Sequence, residues 1–160
     1  MGRCNEWLQE CYNVREFEWA YQEVFPRRVV IEPLIRDDQG NLLRDYKLFV
    51  FGGEVKMIEV DHDRFTNHTR TLYDPDWNLI DASFKFPQGP PSDRPRRLED
   101  MKAIACRLGK SLDFVRVDLY AFGSTIYFGE LTSYPESGYG RFRPQSFDYT
   151  LGSFWRLEKN

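Results

Sequence analysis

The chain has 160 residues, 41% hydrophobic and 16% aromatic, which is enough apolar mass for one globular core. Its 22 basic and 25 acidic side chains leave a formal net charge of -3, arguing against a protein built around a nucleic-acid backbone. No run of about 18 apolar residues appears, the first six residues lack a signal-peptide core, and Cys4, Cys11 and Cys106 are odd in number without Cys-x-x-Cys spacing, so we expect a reduced, cytoplasmic chain with no membrane insertion, disulfide framework or zinc site.

Residues 4–24 carry no Pro or Gly and are rich in Trp, Tyr, Glu and Gln, with Trp7, Leu8, Cys11 and Tyr12 at helical spacing, which predicts one or two short helices. Pro26 ends that region, and residues 28–35 read as a buried strand. Turn chemistry follows at Asp37-Asp38-Gln39-Gly40-Asn41. Residues 42–51 and 54–60 then predict two strands joined by a tight hairpin at Gly52-Gly53.

Residues 61–78 form a polar segment containing Asp61, His62, Asp63 and His68. Without helical i, i+4 placement these do not make a transition-metal motif, and a loop positioning an acceptor substrate fits better. Pro87, Pro90, Pro91 and Pro95 stiffen the next loop. Leu98, Met101, Ala105 and Leu108 make the apolar stripe of a helix that Gly109 terminates.

Residues 114–122 and 126–132 are rich in β-branched and aromatic residues and flank Gly123-Ser124-Thr125, predicting a hairpin with a three-residue loop. That loop would set Asp118 opposite Glu130, Tyr120 opposite Phe128 and Arg116 opposite Thr132, all on one face, with Val115, Val117, Leu119, Ala121, Tyr127, Gly129 and Leu131 on the other. Two carboxylates directly opposed cost roughly 0.2–1 kcal/mol and require a cation. Arg116 is one candidate; a hard divalent ion such as Mg2+, which takes one or two carboxylates with phosphate oxygens and water, is the other. Beyond Gly138, Arg141 and Arg143 stand between aromatics, as a solvated loop or a phosphate or polysaccharide contact. Asp148 reads as the N-cap of a last helix holding Leu151, Phe154, Trp155 and Leu157. The elements sum to an α+β fold, an antiparallel sheet flanked by helices, in a single domain over 1–160.

Glu18-Trp19-x-Tyr21, Ile31-Glu32, Asp45-Tyr46-Lys47, Met101, the strand from Phe114 to Tyr120 and Phe128-Gly129-Glu130-Leu131-Thr132 together resemble the TupA-like branch of the ATP-grasp superfamily, linked to teichuronopeptide and other cell-surface polysaccharide biosynthesis. The resemblance implies ATP and Mg2+ as cofactors and a carboxylate-amine ligase working through an acyl-phosphate. It implies Asp118, Glu130 and Thr132 as metal ligands, with Thr132 where the wider superfamily uses Asn. Arg116, Lys47 and Arg64 would face phosphate or acyl-phosphate, Glu32 would meet the adenine edge, and Asp45 would stand near the ribose beside Lys47. The substrates implied are a nucleotide and a small carboxylate, amine or sugar-linked molecule.

The resemblance is placed in the carboxyl-terminal half of a family chain, because no segment matches the glycine-containing lid and the Lys that clamp the nucleotide. On that expectation the chain is a fragment, part of a split enzyme or an inactive member. The alternative is a non-catalytic binding or scaffold module that self-associates or partners a ligase or glycosyltransferase.

Overall fold

The computed structural model describes residues 2–10 and 23–157. The chain divides into two compact units, Met1–Ile35 and Arg36–Asn160.

In the first unit, helix α1 (Gly2–Gln9) buries none of its side chains. The guanidinium of Arg27 donates to the Gln9 carbonyl at 3.1 Å. The expectations resting on Cys11, Tyr12 and the Glu18-Trp19-x-Tyr21 motif lie outside the described residues. Residues 28–35 are not the expected buried strand. They carry no regular secondary structure and join no ladder among the described residues, and Val30, Ile31 and Leu34 are exposed. Pro33 removes a ladder donor, and an apolar run without a pairing partner is not a strand.

The second unit is built on one five-stranded antiparallel sheet: β1 (Asp45–Phe51), β2 (Glu54–His62), β3 (Thr69–Tyr73), β5 (Phe114–Phe122) and β6 (Thr125–Thr132), in the order β3-β2-β1-β5-β6. The β1–β2 loop is Gly52-Gly53, both at positive φ (55° and 82°), which is why two glycines turn the chain here. A short ribbon pairs β4 (Ser83–Phe84) with β7 (Phe142–Arg143). Helices α2 (Leu98–Gly109) and α3 (Gln145–Gly152) complete the unit. The expected α+β class, an antiparallel sheet with helices, is the one observed.

Alternation along the strands separates two faces. On one, Tyr46, Leu48, Val50, Ile58, Val60, Val115, Val117 and Leu119 pack against Leu98, Met101 and Ala105 of α2. Burying each large apolar side chain is worth roughly 1.5–3 kcal/mol, so this layer carries much of the stability. Gly109 does not terminate α2 as a left-handed cap. It is the buried last helical residue, followed by Lys110 in helical conformation, and a Cβ there would lie 2.6 Å from Val50 Cγ1. Leu108, expected in the stripe, points outward and is 39% exposed.

The other face is split along the strands. One part is apolar: Phe49, Phe51, Met57, Leu72 and Phe114, covered by Phe84 and Phe142 of the ribbon and by Leu151 of α3. The remainder carries charges. Asp148 is not the N-cap of α3, because the helix starts at Gln145 behind Pro144, which places Asp148 in the first turn; Phe154 and Trp155 fall beyond its end.

Candidate functional site: the charged face of the sheet

The segment from Asp45 to Lys47 opens the central strand, so both side chains are covered by neighbours on either side. Asp45 pairs with Asp61 and Tyr120, and Lys47 with Glu59 and Asp118. Only 2% of Asp45, 6% of Lys47, 8% of Arg116 and 2% of Asp118 is exposed. Charges this deep persist only when paired.

The pairing is dense. Lys47 Nζ lies 2.5 Å from Asp118 Oδ2 and 2.7 Å from Asp45 Oδ2. Arg116 donates through Nε to Asp118 Oδ1 at 2.7 Å and through Nη2 to Oδ2 at 2.8 Å, a bidentate grip, and Nη2 also reaches Glu130 Oε1 at 2.7 Å. Thr132 donates its hydroxyl to the same Glu130 oxygen at 3.0 Å. Arg64 Nη1 donates to Asp45 Oδ2 at 2.7 Å from the loop behind β2. The structure thus brings seven of the eight expected site residues onto one face: Asp45, Lys47, Arg64, Arg116, Asp118, Glu130 and Thr132. The eighth, Glu32, belongs to the first unit and is exposed.

Burial pushes the Asp45 carboxyl above its ordinary range against the pull of Lys47. Burial alone would lower the Lys47 ammonium, but Asp118 and Asp45 outweigh it and hold the pKa up. For Arg116 likewise, its bonds to Asp118 overcome burial and raise it. Both cations are therefore charged at neutral pH.

The hairpin register differs from expectation. Phe122 pairs with Thr125, so the loop is the two residues Gly123-Ser124, with Gly123 at φ 57°. From that tip Tyr120 pairs with Tyr127 and Leu119 with Phe128, not Tyr120 with Phe128. A bulge between Val117 and Leu119 then restores Arg116 to Thr132 and Val117 to Leu131, leaving Asp118 against both Gly129 and Glu130. The bulge keeps Glu130 on the face of Asp118. A Cβ at Gly129 would sit 3.0 Å from the Asp118 carbonyl oxygen and 3.0 Å from the Tyr120 ring.

Two members of this face, Glu59 and Arg70, escape a reading of the sequence. The polar segment 61–78 is no simple loop, because it contains β3, whose Thr69, Thr71 and Tyr73 already alternate with Arg70 and Leu72. Arg70 Nε donates to Asp61 Oδ1 at 2.7 Å and lies 2.9 Å from Glu59 Oε1. His68 Nε2 is 2.9 Å from Asp61 Oδ1, whereas His62 alternates to the opposite side of the sheet and bonds Thr71 at 3.1 Å. Glu59 is fully buried, neither of its oxygens receives a hydrogen bond among the described residues, and burial pushes its carboxyl up to about 8 despite Arg70.

Two carboxylates and a hydroxyl are donors of the kind Mg2+ takes, supplemented by phosphate and water. No group of three or more His, Cys, Asp or Glu among the described residues is arranged to hold a metal by itself. Glu130 is the accessible member, its side chain 62% exposed, whereas Asp118 is engaged on both oxygens.

A family model for TupA-like ATP-grasp proteins matches residues 4–156. That match spans nearly the whole chain, so the resemblance is not confined to a carboxyl-terminal half. No curated protein and no solved structure matches the chain. ATP-grasp proteins generally bind ATP and Mg2+. On the match over residues 4–156, this chain belongs to the TupA-like ATP-grasp family.

Proposed function

We propose that the charged face binds ATP with Mg2+ and serves a cytoplasmic carboxylate-amine ligase of cell-surface polysaccharide biosynthesis, working through an acyl-phosphate. The observation that carries this reading is the closed exchange of charges: two buried cations, Lys47 and Arg116, are neutralised by Asp118 and Glu130, with Arg64 and Glu130 at the solvent-reachable ends. A magnesium-phosphate pair brings both signs at once. Lys47 and Arg116 would exchange partners to the phosphate oxygens, and Asp118 and Glu130 to the metal, so that no buried charge would be left unpaired.

In this reading Glu130, Asp118 and Thr132 would hold the metal, which would supply charge neutralisation to the phosphates and to the transferred phosphoryl group. Lys47 and Arg116 stabilise and orient the anionic oxygens, and Arg64 reaches in from the edge beside Asp45. The chain's share is positioning and electrostatics, with no nucleophilic side chain required. Glu32 is assigned to the adenine by family resemblance. The carboxylate substrate is an acidic amino acid or a uronic acid on the same ground.

A second reading is favoured by the saturation of Asp118, whose oxygens already accept from Arg116 and Lys47. The face would then be a structural ion network in a binding or scaffold module. Titration calorimetry with ATP in the presence and absence of Mg2+ separates the two. The ligase reading predicts magnesium-dependent binding that Asp118→Asn abolishes; absence of ATP binding by the unmutated chain, or equal binding by Asp118→Asn, overturns it.

A further inference from the structure

The ribbon β4–β7 turns Phe84 and Phe142 inward to the second core, and Ser83 pairs with Arg143 across it. Beside the ribbon lies a cavity of about 640 Å³, within the size range of small-molecule sites. Its charged lining is one-sided. Lys85, Arg141 and Arg143 face a single carboxylate, Glu136, in a chain whose net charge is negative. Lys85 and Glu136 pair with each other, whereas the side chains of Arg141 and Arg143 make no hydrogen bond or ion pair among the described residues.

The backbone around the cavity is held in an unusual conformation. Lys85 (φ 63°), Glu136 (φ 53°) and Ser137 (φ 54°) are three of the five non-glycine residues at positive φ among the described residues. Each such residue costs of order 1–3 kcal/mol, and strain of this kind gathers where side chains must be aimed. Here it presents Lys85 and Glu136 to one another at the cavity wall. The apolar walls are Phe86, Pro87 and Tyr139, the last 71% exposed. The cavity also borders the charged face: the Phe86 ring lies 3.7 Å from the His68 ring, tilted by 31°, and 5.0 Å from the Arg70 guanidinium.

We propose that this cavity is a second binding site, for a small ring-bearing oxyanion, with a carboxylate or phosphate ester held by Arg141 and Arg143 and its ring laid against Tyr139. Two guanidinium forks without internal partners match either oxyanion in bidentate geometry, and an exposed aromatic ring offers a flat apolar platform. The volume of the cavity and the overall negative charge of the chain favour a small anion over a polyanionic surface. The proposal stands independently of nucleotide binding at the sheet.

The test is titration calorimetry of the full chain at low salt with D-glucuronate, D-glucose 6-phosphate and neutral D-glucose, beside the double variant Arg141→Gln/Arg143→Gln and the single variant Glu130→Gln. We expect at least one anionic sugar to bind and glucose not to. The double variant should bind roughly tenfold or more weakly while unfolding at the same temperature, because both arginines are exposed. The tighter of the two anions identifies the head group. Glu130→Gln should leave anion binding intact, including where it abolishes ATP binding. Absence of binding by either anion, equal binding of glucose, unchanged affinity in the double variant, or loss in Glu130→Gln would each overturn the proposal.

Discussion

Glu59 is the residue whose chemistry the fold strains most. It sits fully buried on β2, opposite Lys47 and near Arg70, Asp61 and Arg116, and burial lifts its carboxyl from about 4.5 to about 8. A carboxyl raised on folding is held protonated in the native chain over a range where the unfolded chain has released its proton. Its contribution is therefore fully present below the unfolded value and is lost as pH rises through the folded value. The stability of the unmutated chain relative to Glu59→Gln should fall steadily from pH 4.5 to 8, measured by urea unfolding at a series of pH values. A difference that stays flat over that range means Glu59 is ionised in the native state. Nothing in the sequence marks Glu59, since a Glu within an alternating strand reads as solvent-facing. Lys47 and Asp45 were legible only through family resemblance, because an Asp-Tyr-Lys triplet has no chemical signature of its own.

At the level of elements, the β5–β6 hairpin shows what a sequence reveals and what it withholds. Its two β-rich runs and the shared face of Arg116, Asp118, Glu130 and Thr132 were readable from alternation. The register at its tip was not, because a two-residue loop with a bulge and a three-residue loop without one bring the same residues together beyond the bulge. The bulge rests on Gly129, where a side chain would press on the Asp118 carbonyl and the Tyr120 ring. Gly129→Ala should destabilise the chain by about 1–3 kcal/mol, read from chemical denaturation, as overpacking does. An unchanged denaturation midpoint would show that the hairpin tolerates a regular register. The expected strand at 28–35 failed for the converse reason: hydrophobic content is a local property, whereas a strand is defined by its neighbours. Strand β3 was missed because charged and polar residues disguised an alternating five-residue run.

Across the whole molecule, one side of the sheet is sealed by α2 and the other is divided between an aromatic core and a field of paired charges. A chain of net charge -3 places two of its buried cations, Lys47 and Arg116, side by side on that field, where each is held by carboxylates that a metal could take over. Family membership and this exchange of charges lead to the same expectation. Among the described residues no helix is long and apolar enough to cross a membrane. The most direct measurement is a thermal-unfolding scan with Mg2+ alone, ATP alone and both together, beside Glu130→Gln. The two together should stabilise the unmutated chain by about 2.7 kcal/mol at a hundredfold excess over the dissociation constant, with little effect on Glu130→Gln. No shift in the unmutated chain, or an equal shift in both, would contradict a metal-nucleotide site on the charged face.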